Sequence, residues 1–263
     1  MNSFLIRFIK RHTGKKWMQR ISEMMFHLSL AGMNFGGSNF KTNGELHLLY
    51  QIKKRYSPNE PLTIFDVGAN IGNYSKVLHE IFGDRATIHS FEPSQKTFEH
   101  LKKNISGINN VIPNNFGLSN DEGCSTLYSD DDGSGLASLY QRNLDHHNII
   151  ISQSEKITLS TIDKYCAENQ INNIHFLKLD VEGHELKVLE GACRMLHEKR
   201  IDGIQFEFGG CHIDSRVFFR DLYLRLKDNY RVYRVLKDGL KEISNYNERY
   251  EIFLYANYFA EKK

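Results

Sequence analysis

The chain has 263 residues, 40% hydrophobic and 12% aromatic, which suffices for a sizeable core and excludes a disordered composition. Its 34 basic and 32 acidic residues leave a formal charge of +2, against a nucleic-acid partner, and no apolar run approaches the roughly 18 residues of a membrane span. Cys124, Cys166, Cys193 and Cys211 are scattered without a Cys-x-x-Cys pair, which argues against zinc or a disulfide framework and for a reducing cytoplasm.

Residues 1 to about 35 differ from the rest. Arg7, Lys10, Arg11, Lys15, Lys16 and Arg20 precede the first acid, Glu23, and Phe4, Leu5, Phe8, Ile9, Trp17, Met18, Ile21, Met24 and Met25 lie between them at helical spacing. Packing of this basic amphipathic helix on the fold or on a second subunit (a homodimer) is expected first. Peripheral attachment to the inner face of a membrane is the alternative. No apolar stretch with a small-residue cleavage site marks secretion. Gly32, Gly36, Gly37 and Ser38 read as a linker, and a helix from about Gly44 to Lys54 starts behind Asn43 as N-cap and stops before Ser57-Pro58. The expected organisation is an N-terminal helical extension, 1–60, and a main domain, 61–263.

From Leu62 strands and helices alternate. Expected strands are Ile64–Val67, Thr87–Phe91, Val111–Asn115, His175–Leu179 and Ile204–Phe208. Helices are expected from about Tyr74 to Phe82, Ser94 to Asn104, Thr161 to Glu168, Leu186 to Glu198 and Ser215 to Lys227. Ser125–Tyr128 and Lys156–Leu159 read as added strands around an expected mobile loop, Asp130-Asp-Asp-Gly-Ser-Gly135, and Arg231–Val235 with Glu251–Tyr255 as a closing pair. Such alternation makes an α/β fold, a parallel sheet with helices on both faces.

Thr63-Ile-Phe-Asp-Val-Gly-Ala-Asn-Ile-Gly72 is a buried strand running into a glycine turn and a helix, the way an α/β protein presents backbone N–H groups to a nucleotide-like ligand. The dinucleotide spacing Gly-x-Gly-x-x-Gly fails, because Asn70 and Asn73 stand where glycines belong. Asp66, two residues before Gly68, would repel a pyrophosphate and suits a ligand with an ammonium group, as in S-adenosylmethionine. Ala69, Gly72 and Tyr74 complete this turn. Glu92, about twenty residues on at a strand end, is placed to accept ribose hydroxyls, and Asn115 with Phe116 could wall the adenine.

Lys178-Leu-Asp-Val-Glu-Gly-His-Glu185 ends a second strand. Lys178 and Asp180 share a face, which aims Asp180 and Glu182 at the same crevice as Asp66 and Glu92. Glu185 reads as a helix N-terminal acid only. In Gln205-Phe-Glu-Phe-Gly209, Glu207 lies opposite the apolar positions 204, 206 and 208 and, if the strands are neighbours, approaches Asp180. Adjacent carboxylates invite a raised pKa fit for a general base, or a divalent ion held by Asp180, Glu182 and Glu207. His184 and His212 are alternative bases.

Asp66-Val-Gly-Ala-Asn-Ile-Gly-Asn-Tyr-Ser75, Phe91-Glu-Pro93, Gly117-Leu-Ser-Asn-Asp-Glu-Gly123, Lys178-Leu-Asp-Val-Glu-Gly183 and Glu185-Leu-x-Val-Leu-x-Gly-Ala192 follow in this order. Together they resemble the FkbM-type methyltransferases, over about Leu62 to Phe208. The resemblance implies a Rossmann-like seven-stranded sheet with an antiparallel last strand, S-adenosylmethionine as donor, and a hydroxyl acceptor on a sugar, glycan or related small molecule. It implies that Asp66, Gly68, Asn70 and Glu92 hold the donor and that Asp180 faces donor and acceptor. Gly117 stands where the family more often has alanine. The competing readings are an NAD-dependent oxidoreductase, a nucleic-acid methyltransferase (disfavoured by charge and by the lack of an Asn/Asp-Pro-Pro-aromatic element) and a non-catalytic S-adenosylmethionine-binding module.

Overall fold

The computed structural model describes residues 3–37, 39–131 and 133–263. Ser38 of the expected linker and Asp132 of the expected loop fall outside them, as do the side chains of Phe4, Leu5 and Phe8. Three helices open the chain: α1 (Ser3–His12), α2 (Lys16–Gly32) and α3 (Glu45–Lys53). The alternation follows as β1 (Leu62–Val67), α4 (Asn73–Phe82), β2 (Ala86–Phe91), α5 (Gln95–Asn104) and β3 (Val111–Asn114). After β4 (Gly117–Leu118), β5 (Gly123–Ser129) and β6 (Gln153–Ser160) come α6 (Ile162–Glu168), β7 (Phe176–Leu179), α7 (Glu185–Glu190), α8 (Cys193–His197) and β8 (Gly203–Phe208). The chain closes with α9 (Cys211–Ser215), α10 (Phe219–Leu226), β9 (Tyr230–Leu236), β10 (Gly239–Glu242) and β11 (Ala256–Lys262).

The main sheet has the order β10-β9-β11-β8-β7-β1-β2-β3. β8, β7, β1, β2 and β3 are parallel, and β11 runs antiparallel to both β8 and β9. Side-chain alternation divides the core. Leu62, Ile64, Ile88 and Phe176 pack with Leu48, Leu49 and Ile52 of α3 and with Leu78 and Leu101 of α4 and α5. Phe65, Val67, Phe91, Leu177, Leu179 and Phe206 pack on the other face with Ile162, Val188, Met195 and Leu222 from α6, α7, α8 and α10. Parallel strands covered on both sides must be apolar at nearly every position, which is why β1 carried such a clear signal. Residues 45–53, assigned from the sequence to the N-terminal extension, therefore supply core beneath the sheet.

Several expectations need correction. The sheet has eight strands rather than seven, because a two-residue loop, Lys237-Asp238, folds β10 back on β9. The closing strand is Ala256–Lys262, not Glu251–Tyr255: Tyr258 and Ala260 fill the core on one side while Asn257 and Phe259 take the other. The helix expected over 186–198 breaks at Gly191, where an added Cβ would stand 1.9 Å from the Ser119 carbonyl oxygen. The helix expected over 215–227 is interrupted by Arg216 at φ +57°. The added strands pair with β4 as a separate three-stranded sheet, β4-β6-β5. Gly44 rather than Asn43 caps α3, and Asn43 Oδ1 accepts the Glu45 N–H at 3.0 Å. Finally, α2 does not pack on the fold, since Leu30 is its one buried residue.

Candidate functional site

The crevice lies beyond the C-terminal ends of β1, β2 and β7, where the strand order reverses. Gly68 and Ala69 donate their N–H groups to the Phe91 carbonyl oxygen at 3.0 and 2.9 Å, so the turn after β1 folds across the end of β2. Gly68 has φ +83°, and a Cβ there would meet the Asp180 carbonyl oxygen at 1.8 Å. Only glycine allows that approach of the two strand ends. A cavity opens beside the turn, with an empty volume of about 820 Å³ including its mouth. Phe91, Leu118, Leu127, Ile157 and Leu159 make its apolar walls, and Gly68, Asn70, Glu92, Asp180, Glu182 and His184 its polar ones.

Glu92 sits at the rim of β2. Its Oε2 accepts the Asn70 N–H at 3.0 Å and its Oε1 the Ser94 N–H at 2.9 Å. Burial pushes its carboxyl up to about 7, against the pull of those two hydrogen bonds. Asn70, at φ +48°, donates from Nδ2 to the carbonyl oxygens of Gly133 and Ser134 at 3.2 and 2.9 Å. Farther along the same segment, Ser138 Oγ donates to the Glu182 carbonyl oxygen at 2.8 Å. Residues 133–138 thus strap the cavity between the glycine turn and the acidic turn.

Other expected donor contacts lie off the cavity wall. Asp66 is fully buried beneath the turn, where Ser75 Oγ donates to Oδ2 at 2.6 Å, and burial raises its carboxyl while Lys178 opposes the rise. Ala69 and Tyr74 are core residues, and Gly72 faces Leu101 of α5. Asn115 Nδ2 donates to the carbonyl oxygens of Glu92 and Pro93, and Phe116 packs on Phe91 and Tyr165. The wall expected from Asn115 and Phe116 is instead built by Leu118, Leu127, Ile157 and Leu159 of the small sheet.

The acid end is assembled from β7 and β8, which pair in parallel. Lys178 Nζ lies 2.8 Å from Asp180 Oδ2 and 4.3 Å from the centre of the Tyr74 ring. Burial opposes the lysine charge, but Asp180, Asp66 and Glu45 together hold it above the ordinary range. Glu207 comes up beside Asp180 and their carboxyls share a hydrogen bond. Burial and then the Asp180 charge drive Glu207 well above the usual carboxylate range. Asp180 is the open member, with 35% of its side chain exposed, and Glu207 stands behind it at 7%. Glu182, at φ +50°, is pushed up to about 8 by burial and by Asp180, while Arg142, 2.6 Å away, opposes the shift. Oxygens of Asp180, Glu182 and Glu207 lie within 4.8 Å of one another.

The histidines are placed differently. His184 lines the cavity, but Ser119 Oγ stands 2.9 Å from Nε2 and Tyr140 OH 3.1 Å from Nδ1, and burial lowers it to about 4. It is neutral at physiological pH with both nitrogens engaged, a poor base. His212 is fully buried, 3.0 Å from Glu185 Oε2, and outside the crevice. Glu185 Oε1 accepts the N–H groups of Val181 and Gly183 at 3.2 and 3.5 Å, fixing the acidic turn from below. The sequence did not single out Arg142; its partners Glu182 and Asp214 lie far along the chain, at 40 and 72 residues' separation, beyond any local pattern.

A glycine turn at the switch point, an acid at the next strand end and an antiparallel strand inserted at one side of the sheet define a Rossmann-like S-adenosylmethionine-dependent methyltransferase domain. The chain belongs to the FkbM methyltransferase family, whose Methyltransferase FkbM domain matches residues 66–235. It is similar to the hexuronic acid methyltransferase AglP of Haloferax volcanii, with 32% identity over 136 residues, 51% of each chain. It is also similar to Methyltransferase 1 of Beauveria bassiana, with 25% identity over 143 residues, 49% of this chain and 57% of that one. The aligned stretch spans about half the length of these curated relatives. A solved S-adenosylmethionine-dependent methyltransferase from Aquifex aeolicus superposes with a TM-score of 0.41 at 14% identity, covering 86% of this chain and 94% of that one.

Proposed function

We propose that the chain transfers a methyl group from S-adenosylmethionine to a hydroxyl oxygen of a sugar, with hexuronic-acid-bearing glycans as the acceptor class. The single observation that carries the reaction type is the Asp180–Glu207 pair, hydrogen-bonded and open to the crevice only through Asp180. The name of the 32%-identical relative supports the acceptor class.

The cavity fits the donor. Its apolar walls suit an adenine, Glu92 keeps lone pairs free for ribose hydroxyls beyond the two N–H groups it already accepts, and the acids at its far end suit a positive charge. When bound, S-adenosylmethionine supplies an electrophilic methyl on a positively charged sulfur. The chain's own residues then have two tasks. The strap and the small sheet align the reactants and exclude water, and alignment can supply about 7–11 kcal/mol. Asp180 takes the proton of the acceptor hydroxyl, while Glu207, kept protonated by its burial and by the Asp180 charge, donates its own O–H to Asp180 and holds that carboxylate in place. Such a base contributes about 10²–10⁴-fold. Lys178 keeps Asp180 oriented at 2.8 Å.

A hexuronic acid also offers a carboxylate, which needs no base. The Asp180 carboxylate, the acid exposed at this end of the crevice, repels it and favours the hydroxyl. Incubation with labelled donor and uronate-containing oligosaccharides tests both points. An alkali-stable methyl ether supports the proposal; an alkali-labile methyl ester, or no transfer to any uronate, contradicts it. The converging oxygens of Asp180, Glu182 and Glu207 support a second reading, in which a divalent ion orients the acceptor. Loss of turnover on chelation, restored by magnesium, would select it.

A further inference from the structure

At 3.6 residues per turn Trp17, Ile21, Met24, Met25 and Leu28 share one side of α2, and Lys16, Arg20 and His27 flank it along one edge. Met24, Met25 and Leu28 are 58%, 62% and 65% exposed, whereas a helix packed on its own domain would bury this stripe. α1 adds Arg7, Lys10 and Arg11. Residues 1–32 carry six basic side chains and one acidic, a charge of +5. The rest of the chain, with 28 basic and 31 acidic, carries −3. The net positive charge of the molecule therefore resides wholly in the segment that leaves its apolar side uncovered.

The stem of α2 is firmly seated. The Arg234 guanidinium lies 3.4 Å from the centre of the Phe35 ring, Gly36 N–H donates to the Tyr255 carbonyl oxygen at 2.8 Å, and Asn34 Nδ2 donates to the Asn43 carbonyl oxygen at 2.7 Å. Tyr255 abuts Gly209, where an added Cβ would stand 3.1 Å from its Cα, and Gly209 follows Glu207 by two residues. The exposed helices are thus rooted beside the acid end of the crevice.

We propose that α1 and α2 dock the chain on an anionic lipid surface. Among the described residues no helix is long and apolar enough to cross a membrane, so the pair lies in the interface with its basic side chains at the headgroups. A second copy is the less fitting occupant, because a two-fold contact through residues 1–32 sets +5 against +5. The test is co-sedimentation of the full chain with vesicles of phosphatidylcholine alone or mixed with phosphatidylglycerol. The chain should pellet with the mixed vesicles and not with phosphatidylcholine, and release as salt rises. Met24→Asp with Leu28→Asp, and separately Lys10→Glu with Lys16→Glu and Arg20→Glu, should each weaken binding at least about tenfold. Unchanged binding of S-adenosylhomocysteine shows that each variant is folded. Absence of pelleting with the mixed vesicles, or wild-type pelleting by both variants, overturns the proposal. So does a lipid-free dimer that Met24→Asp with Leu28→Asp dissociates, since the occupant is then a second copy. The assay needs no acceptor, so its outcome is independent of the sugar reading.

Discussion

Both oxygens of Glu92 already accept a backbone N–H, and burial lifts its carboxyl from 4.5 to about 7. The folded value lies above the unfolded one, so its contribution to folding is fully present below about pH 4.5 and is lost as pH rises through 7. Donor binding runs the other way, because ribose hydroxyls need the carboxylate as acceptor. Affinity for S-adenosylhomocysteine, measured by calorimetry, should rise between pH 6 and 8, and Glu92→Gln should flatten that rise. Glu92→Ala should weaken binding by about 1.5–3 kcal/mol, the loss expected for hydrogen bonds to a charged acceptor. Asp180 answers to a different readout. Asp180→Asn should keep the donor product bound while lowering turnover at least about a hundredfold. If His184→Ala abolishes turnover and Asp180→Asn does not, the proton goes to the histidine.

At the scale of single elements, the turn after β1 depends on Gly68, which combines φ +83° with contact to the Asp180 carbonyl oxygen. Gly68→Ala should cost at least about 2 kcal/mol in urea unfolding, since backbone strain and a backbone clash add. Donor affinity should fall with it, because the turn holds the ends of β1, β2 and β7 together. This element was legible in the sequence: a strand buried on both faces and a glycine turn are local patterns, as are Glu92 and Asp180 at strand ends. The cavity walls were not. Asn70 meets Gly133 and Ser134 across 63 and 64 residues, and Leu159 reaches the cavity only because β6 pairs with β4 in a separate sheet. The need for glycine at 191 is of the same kind, since the carbonyl oxygen it lies against belongs to Ser119 in a distant turn. The β10 hairpin does carry a local signal, the turn dipeptide Asp238-Gly239.

Across the whole molecule, the N-terminal sixty residues divide by burial. Removing residues 1–32 should leave the melting temperature nearly unchanged, as Leu30 is the one buried residue of α2. Removing residues 1–60 should unfold the domain. It takes away Leu48, Leu49 and Ile52, each worth about 1.5–3 kcal/mol when buried, against a net stability of about 5–15 kcal/mol. It also takes Glu45, whose Oε2 accepts Gln205 Nε2 at 2.6 Å and ties α3 to β8. Differential scanning calorimetry of the two truncations separates these outcomes. The central claim, that the crevice at the switch point is a methyl-donor site organised by Glu92, is tested most directly by calorimetric titration of S-adenosylhomocysteine and of NAD into the intact chain and into Glu92→Ala. The structure predicts one-to-one binding of S-adenosylhomocysteine, tighter than NAD and weakened in the variant; tighter NAD binding, or a variant that binds S-adenosylhomocysteine as the wild type does, would contradict it.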